Sequence, residues 1–332
     1  MDPIAALTEI ATLLERERAS RYRSKAFRAA AATVAGLSAA ELADAASLRR
    51  RPRIGDTSFA VIQEALAGRV PQYLAELRAR YAPAASTLRT RLRGDLHCHS
   101  DWSDGTTPID AMVDAARALG HEYLALTDHS PRLRVARGLS PERLRAQLEV
   151  VAGFDGADAG FTLLSGIEVD ILDDGALDQE PELLDELDVV VASAHSKLRM
   201  DARPMTRRLV AAASDPHVDV LGHVTGRLIA GERGLRPPSQ FDARAVFEAC
   251  AAHGVAVEIN SRPEREDPPD DLIALALEVG CLFSIDSDAH APGQLGLLDE
   301  GAARAERAGV PAERIVTTWP LPRLREWLHR AR

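Results

Sequence analysis

From residue 94 onward the chain alternates short β-rich runs with amphipathic helical stretches about seven times, and nearly every run ends in a residue able to bind a metal. The runs are GDLHCH, YLALTDH, FTLLSGIEV, DVVVASAH, VDVLGH, GVAVEIN and CLFSIDSDAH. Helical patterns occupy 108–119, 140–152, 204–213, 242–253 and 270–279. Such alternation predicts a parallel sheet. An open, doubly wound sheet satisfies it too. The placement of the polar residues favours a barrel, because closure brings the C-terminal ends of all strands to one mouth.

The first run ends at His97 and His99, with Asp104 just beyond. The next four end at His129, Glu168, His195 and His223, and the last runs into Asp288 and His290. Six of the ten histidines therefore sit at strand ends. The other four, His121, His217, His253 and His329, fall in turns or helices and read as ordinary surface or capping residues. Nine ligands exceed the three or four protein groups that hold a single ion. Two or three ions, about 3.5–4 Å apart and sharing carboxylates, would use them all. Imidazole and carboxylate without thiolate suit Zn, Mn or Fe. His97 and His99 are two positions apart on a strand and share a face; Cys98 faces away and reads as a small buried residue.

The first 93 residues follow another rule. Ile4, Leu7, Ile10, Ala11 and Leu14 recur at helical spacing over 4–18. RYRSKAFRAAAATVAGL continues as a helix ending at Gly36, and Ser38 with Glu41 forms a capping-box pattern in SAAELADAA. After a turn at Gly55 a helix runs to Gly68, and Pro71 opens another. The expected organisation is an all-α domain over 1–82, a linker over 83–93 and a barrel over 94–332. Residues 1–93 hold 16 Lys+Arg against 9 Asp+Glu, a balance of +7, whereas the remainder holds 24 against 41, a balance of −17. A basic piece joined to an acidic one suits a nucleic-acid-binding segment beside a metal-binding one, although a solvated helix face carries the same charge. No apolar run approaches the roughly 18 residues of a membrane span. The acidic N-terminus lacks the basic start of a secretory signal. Three widely spaced cysteines argue for a reducing compartment. A cytoplasmic protein with no membrane partner is the expectation.

DLHCHSDWSDG, TDHS, SGIEVD, ASAHS, LGHVTGR, EINSRP and SDAH, in this order, resemble the motif set of the PHP (polymerase and histidinol phosphatase) family over about 94–332. The resemblance implies a distorted (βα)7 TIM-like barrel with a trinuclear metal centre. MTRRLVAAASDPHVDVLGHVTGRLI and VTTWPLPRLREWL are similar to the C-terminal PHP domain of bacterial family X DNA polymerases. Carried over by motif, one metal would be held by His97, His99, Glu168 and Asp288. A second would be held by Glu168, His195 and His223, with Glu168 bridging, and a third by Asp104, His129 and His290. Residues 1–82 resemble the helical DNA-binding domain of the same polymerases. RRPRIGDTSFAVIQEAL is similar to a helix-hairpin-helix, with Arg53 where a first turn glycine is expected and Gly55 in place of the second. Lys25 is the only lysine of that segment, so a Schiff-base lyase activity is not expected. About a dozen residues separate the two domains, where the polymerases carry their catalytic core, so polymerase activity is not expected either.

The function implied is metal-dependent phosphoester hydrolysis by an activated water, with His97, His99, Glu168 and Asp288 at the reacting centre. Arg227, Arg262 and Lys197 follow strand ends and are candidate substrate-phosphate contacts. The polymerase-like barrel and basic N-terminal domain favour a 3′–5′ exonuclease or 3′-end phosphoesterase acting on DNA, with a role in DNA repair. The acidic barrel and the altered hairpin favour a small-molecule phosphatase of histidinol-phosphatase or nucleotide type. A DNA-binding module with the metals as mere scaffold is a third reading, opposed by the complete ligand set.

Overall fold

The structure is a computed structural model that describes residues 1–16, 21–81, 86–154, 160–230 and 234–330. Positions 17–18 of the first expected helix, 83–85 of the expected linker and 331–332 of the barrel lie outside them. The chain divides into two compact units, Met1–Pro83 and Ala84–Arg332.

The first unit is all helical: α1 (Pro3–Arg16), α2 (Arg21–Ala35), α3 (Ala39–Ala43), α4 (Ala45–Arg49), α5 (Asp56–Leu66) and α6 (Gln72–Arg80). Leu7, Ile10, Ala11 and Leu14 of α1 are fully buried against Phe27, Val34, Ile62, Leu74 and Leu77. Removing each large side chain from water contributes about 1.5–3 kcal/mol. Ile4, expected in the same stripe, is 36% exposed. The capping box at Ser38 and Glu41 forms as expected. The stretch it opens does not continue as one helix, because the Asp44 side chain accepts the Ser47 N–H and starts α4 afresh. Gly55 caps α5, and Arg53 has φ +68°, a left-handed conformation that glycine adopts without penalty.

The second unit contains β1 (Gly94–Cys98), α7 (Ile109–Ala118), β2 (Tyr123–Leu126), α8 (Pro141–Ala152), β3 (Thr162–Asp170), α9 (Pro181–Leu184), β4 (Val189–Ser193) and α10 (Ala202–Ala213). It continues through β5 (Val220–Leu221), α11 (Ala243–His253), β6 (Ala256–Asn260), α12 (Asp270–Val279), β7 (Leu282–Asp286), α13 (Leu298–Arg307) and α14 (Leu321–Leu328). All seven expected strands form, in the order β1 to β7, every neighbouring pair parallel. β5 is reduced to two paired residues. A parallel bridge between Cys98 and Ala289, with His99 N–H donating to Ala289 O at 2.8 Å, joins the first strand to the last. The result is a distorted (βα)7 barrel, nearly closed.

One apolar cluster joins Leu96, Ala125, Leu164, Val191, Val220 and Ala256 to Trp319, Leu324 and Trp327 of the C-terminal segment. Tyr123 Oη donates to Trp319 O, and Trp327 Nε1 donates to Gly254 O. Tyr123 and Gly254 lie at strand beginnings, so this segment covers the N-terminal end of the barrel. The alternate strand residues, including Ile167, Val190, Val257 and Ile285, pack on Leu209, Phe247, Ile273 and Leu298 of the outer helices. Both faces of the strands are thus buried, as parallel sheets require. Leu88 and Leu92, inside the segment read as linker, pack into that same cluster. The opposite end, where the strands finish, is left for polar residues. No helix among the described residues is long and apolar enough to cross a membrane.

Candidate metal centre

Each strand delivers its polar residue to the C-terminal mouth. β1 carries His97 and, one residue past its end, His99; a register shift between Asp95 and Cys98 re-aims this strand end. Cys98 faces the other way, among Ile109, Met112 and Leu124. Glu168 lies within β3, whereas His129, His195, His223, Asp288 and His290 follow β2, β4, β5 and β7. His223 has φ +21° and Asp288 φ +50°, conformations costly for residues with a Cβ and found where surroundings hold a functional group in place.

Glu168 is the centre of the cluster. Its Oε1 lies 2.8 Å from His223 Nε2 and 3.3 Å from His195 Nε2. Its Oε2 lies 2.7 Å from His129 Nδ1, 3.4 Å from His97 Nε2 and 3.6 Å from His99 Nε2. Asp288 Oδ1 is 3.5 Å from His99 Nε2. Asp104 Oδ1 is 3.1 Å from His290 Nε2 and 3.5 Å from His129 Nε2. Among the described residues, three groups have donor atoms close enough to hold an ion: His99, Asp104, His129 and His290; His97, His99 and Asp288; and His129, Glu168 and His195. The structure thus brings all nine expected residues together, with His223 reaching the centre through Glu168.

The donor atoms fit metal ions better than they fit one another. His97 Nε2 and both ring nitrogens of His99 are buried without a hydrogen-bond partner. Buried orphans of this kind are rare without an ion or water. Burial lowers His99, His223 and His290, favouring the neutral form that can ligate. Burial also opposes protonation of His97 and His195. Glu168 overrides it, raising His97 well above the usual range and His195 to about 9. Burial would push Glu168 up, yet His129, His195 and His97 hold it well below the ordinary carboxylate range. Cations bound among these residues would displace such protons.

A further ring of buried acids holds the ligands. Asp128 accepts from Ser100 N–H at 2.9 Å, Ser100 Oγ at 2.6 Å and Gln147 Nε2 at 2.7 Å, fixing the loop that carries Asp104. Asp170 accepts the His195 N–H at 3.0 Å. Glu258 accepts from His97 Nδ1 at 2.6 Å. Sequence reasoning passed over all three. Their signal was an ionisable residue in TDHS, EVD and VEIN, at positions where a buried strand end has no need of charge.

The expected phosphate contacts fare unevenly. Arg262 is 3% exposed; its Nε bonds Glu264 and its Nη1 bonds Asp288 Oδ1 at 3.0 Å. It holds a candidate ligand instead of facing solvent, and Arg265 stands beside it, 3.3 Å from Asp288 Oδ2. Arg227 donates to the backbone carbonyls of Arg265 and Glu266, tying down the β6 loop. Lys197 is 62% exposed and paired with Asp173. Of the four histidines read as ordinary surface or capping residues, His121 is instead 4% exposed, and burial lowers it to about 4.

A family model of the PHP domain matches residues 95–262. The DNA polymerase/3′-5′ exonuclease PolX of Bacillus subtilis is 35% identical over 240 residues, which cover 72% of this chain and 41% of that one. The match thus spans less than half of that relative's length. A probable phosphatase of Caldanaerobacter subterraneus is 28% identical over 243 residues, covering 70% and 89% of the two chains. A solved histidinol phosphate phosphatase from Lactococcus lactis, complexed with zinc, L-histidinol and phosphate, is 19% identical, covers 65% of this chain and 94% of that one, and has a TM-score of 0.46. The matched segment takes in five of the strand ends just described, and on that match the chain belongs to the PHP family and is a metal-dependent phosphoesterase.

Proposed function

We propose that the barrel hydrolyses phosphodiester bonds at DNA 3′ ends, as an exonuclease or 3′-end phosphoesterase, and that the helical unit holds the DNA backbone. The observation carrying this reading is the identity gradient: 35% to a chain named a 3′-5′ exonuclease against 28% to a probable phosphatase over similar spans. Residues 1–83 hold 13 Lys+Arg against 9 Asp+Glu, a balance of +4, which supports it, since a basic surface attracts phosphate regardless of sequence. Three buried free cysteines support a reducing, cytoplasmic setting.

His97, His99, Glu168 and Asp288 would hold one divalent ion; Glu168, His195 and His223 a second; Asp104, His129 and His290 a third. Zn, Mn and Fe all suit these ligands. When bound, two or three such ions supply Lewis acidity to the phosphate and lower the pKa of a water toward about 7. The protein's part is positional. Glu168 spaces the ligands, burial favours the neutral, ligating form of His99, His223 and His290, and Arg262 fixes Asp288. Lys197, exposed at the rim and paired with Asp173, would have to exchange that partner to meet a substrate phosphate.

Hydrolysis of a small phosphate ester is the second reading. The −17 balance of the remaining residues favours it, since that charge repels a polyanion. So does coverage, which reaches 89% of the probable phosphatase and only 41% of PolX. The test incubates Mn- or Zn-loaded protein with 5′-labelled single-stranded DNA and, separately, with histidinol phosphate. Stepwise 3′ shortening that a chelator abolishes and a His97→Ala variant lacks is the expected result. Turnover of the small ester alone would overturn the DNA reading.

A further inference from the structure

β6 supplies none of the nine candidate ligands, yet its two inward polar residues touch three of them. Glu258 is fully buried. Its Oε1 meets His97 Nδ1 at 2.6 Å, and its Oε2 accepts the backbone N–H of His223, also at 2.6 Å. Asn260 Nδ2 donates to the same Oε2 at 3.1 Å and lies 3.2 Å from Asp288 Oδ2. One strand thus reaches ligands from β1 and from the ends of β5 and β7.

We propose that Glu258 is the positioning residue of the centre: it fixes which nitrogen of His97 is offered to a metal and holds the backbone of His223. A carboxylate can only accept, so the hydrogen of a neutral His97 stays on Nδ1. Nε2 then presents its lone pair toward Glu168, and it is the ring atom left without a hydrogen-bond partner. Carboxylate-to-imidazole contacts of this kind orient metal-bound histidines and raise their basicity. The same carboxylate grips the N–H of His223, whose positive φ needs an external hold.

The arrangement makes an unusual prediction about an isosteric change. Oε2 already receives two N–H donors, so Glu258→Gln must place its amide oxygen there. Its NH2 then faces His97 Nδ1, which is forced to accept. The hydrogen moves to Nε2, the atom meant for the metal. Glu258→Ala imposes no tautomer. A merely structural role predicts the reverse order, because Ala leaves a cavity and an unpaired His223 N–H whereas Gln fits the space.

This inference rests on the metal-centre reading, and one titration separates the two. Mn²⁺ binding to the full chain is measured by competition with a fluorescent chelator, alongside melting of the metal-free proteins. Wild type that binds no Mn²⁺ would sink the metal centre itself. With wild type binding, Glu258→Gln is expected to melt as wild type does and to lose about 10–100-fold in affinity at one site. Glu258→Ala, where it folds, should lose less. Wild-type affinity in the Gln variant, or a greater loss in a folded Ala variant, overturns the proposal.

Discussion

In the helical unit Leu7, Ile10, Leu14, Ile62, Leu74 and Leu77 are fully buried, and arginines pair with acids at the surface, as in Arg78–Glu9 and Arg49–Asp56. In the barrel His97, His99, Glu168 and Glu258 are buried as deeply as those side chains, and so are the acids Asp95 and Asp286. Surface pairs contribute little and are screened by salt. Buried ionisable groups cost far more than a fold needs to bear. The difference locates the chemistry: the barrel mouth accepts a cost that a bound ligand would offset, and the helical unit carries its charge at the surface.

The comparison breaks most sharply at Glu168. Glu168→Gln should lower hydrolysis of a chromogenic phosphodiester by on the order of 10³-fold, the scale of a lost preorganised electrostatic group. Initial rates measure this, and a loss below tenfold would mean that the cluster is not the reacting centre. Leu7→Ala should do the opposite. It should destabilise the helical unit by about 2–5 kcal/mol, read by urea unfolding, while small-diester turnover stays unchanged.

A subtler contrast lies in pH. In metal-stripped protein His195 is raised from its ordinary value to about 9. A raised histidine contributes stability that is fully present below the unfolded value of about 6.5 and lost as pH rises through the folded one. Melting temperature of the stripped protein should therefore fall between pH 6.5 and about 9, and a His195→Gln variant should flatten that slope. Added metal should remove the dependence by displacing the proton. The smallest effect is expected at Arg53, where Arg53→Gly should relieve the left-handed backbone and stabilise the helical unit by about 0.5–1 kcal/mol. A loss of stability there would show that the arginine side chain holds the turn.

Much of the barrel was legible in the sequence because strand and ligand coincide: apolar alternation ends in histidine or carboxylate, and parallel topology sends every such end to one mouth. The helix break at Asp44 was not legible, since a local cap outcompeted a continuous helical pattern. The roles of Glu258, Asp170 and Arg262 were hidden for a different reason. Each depends on a neighbour from another strand or loop, Glu258 meeting His97 across 161 positions. Spacing along the chain does not encode such pairs. Arg262 read as a phosphate clamp because an arginine after a strand end is usually solvated, and burial gave it to Asp288 instead.

Anomalous scattering from crystals of Mn-loaded protein would locate the ions and their ligands. Two or three peaks are expected at the barrel mouth, with Glu168 shared between two of them and His97, His99, Asp104, His129, His195, His223, Asp288 and His290 as the remaining ligands. A single peak that leaves Glu168 unliganded, or no peak among these residues, would contradict this arrangement.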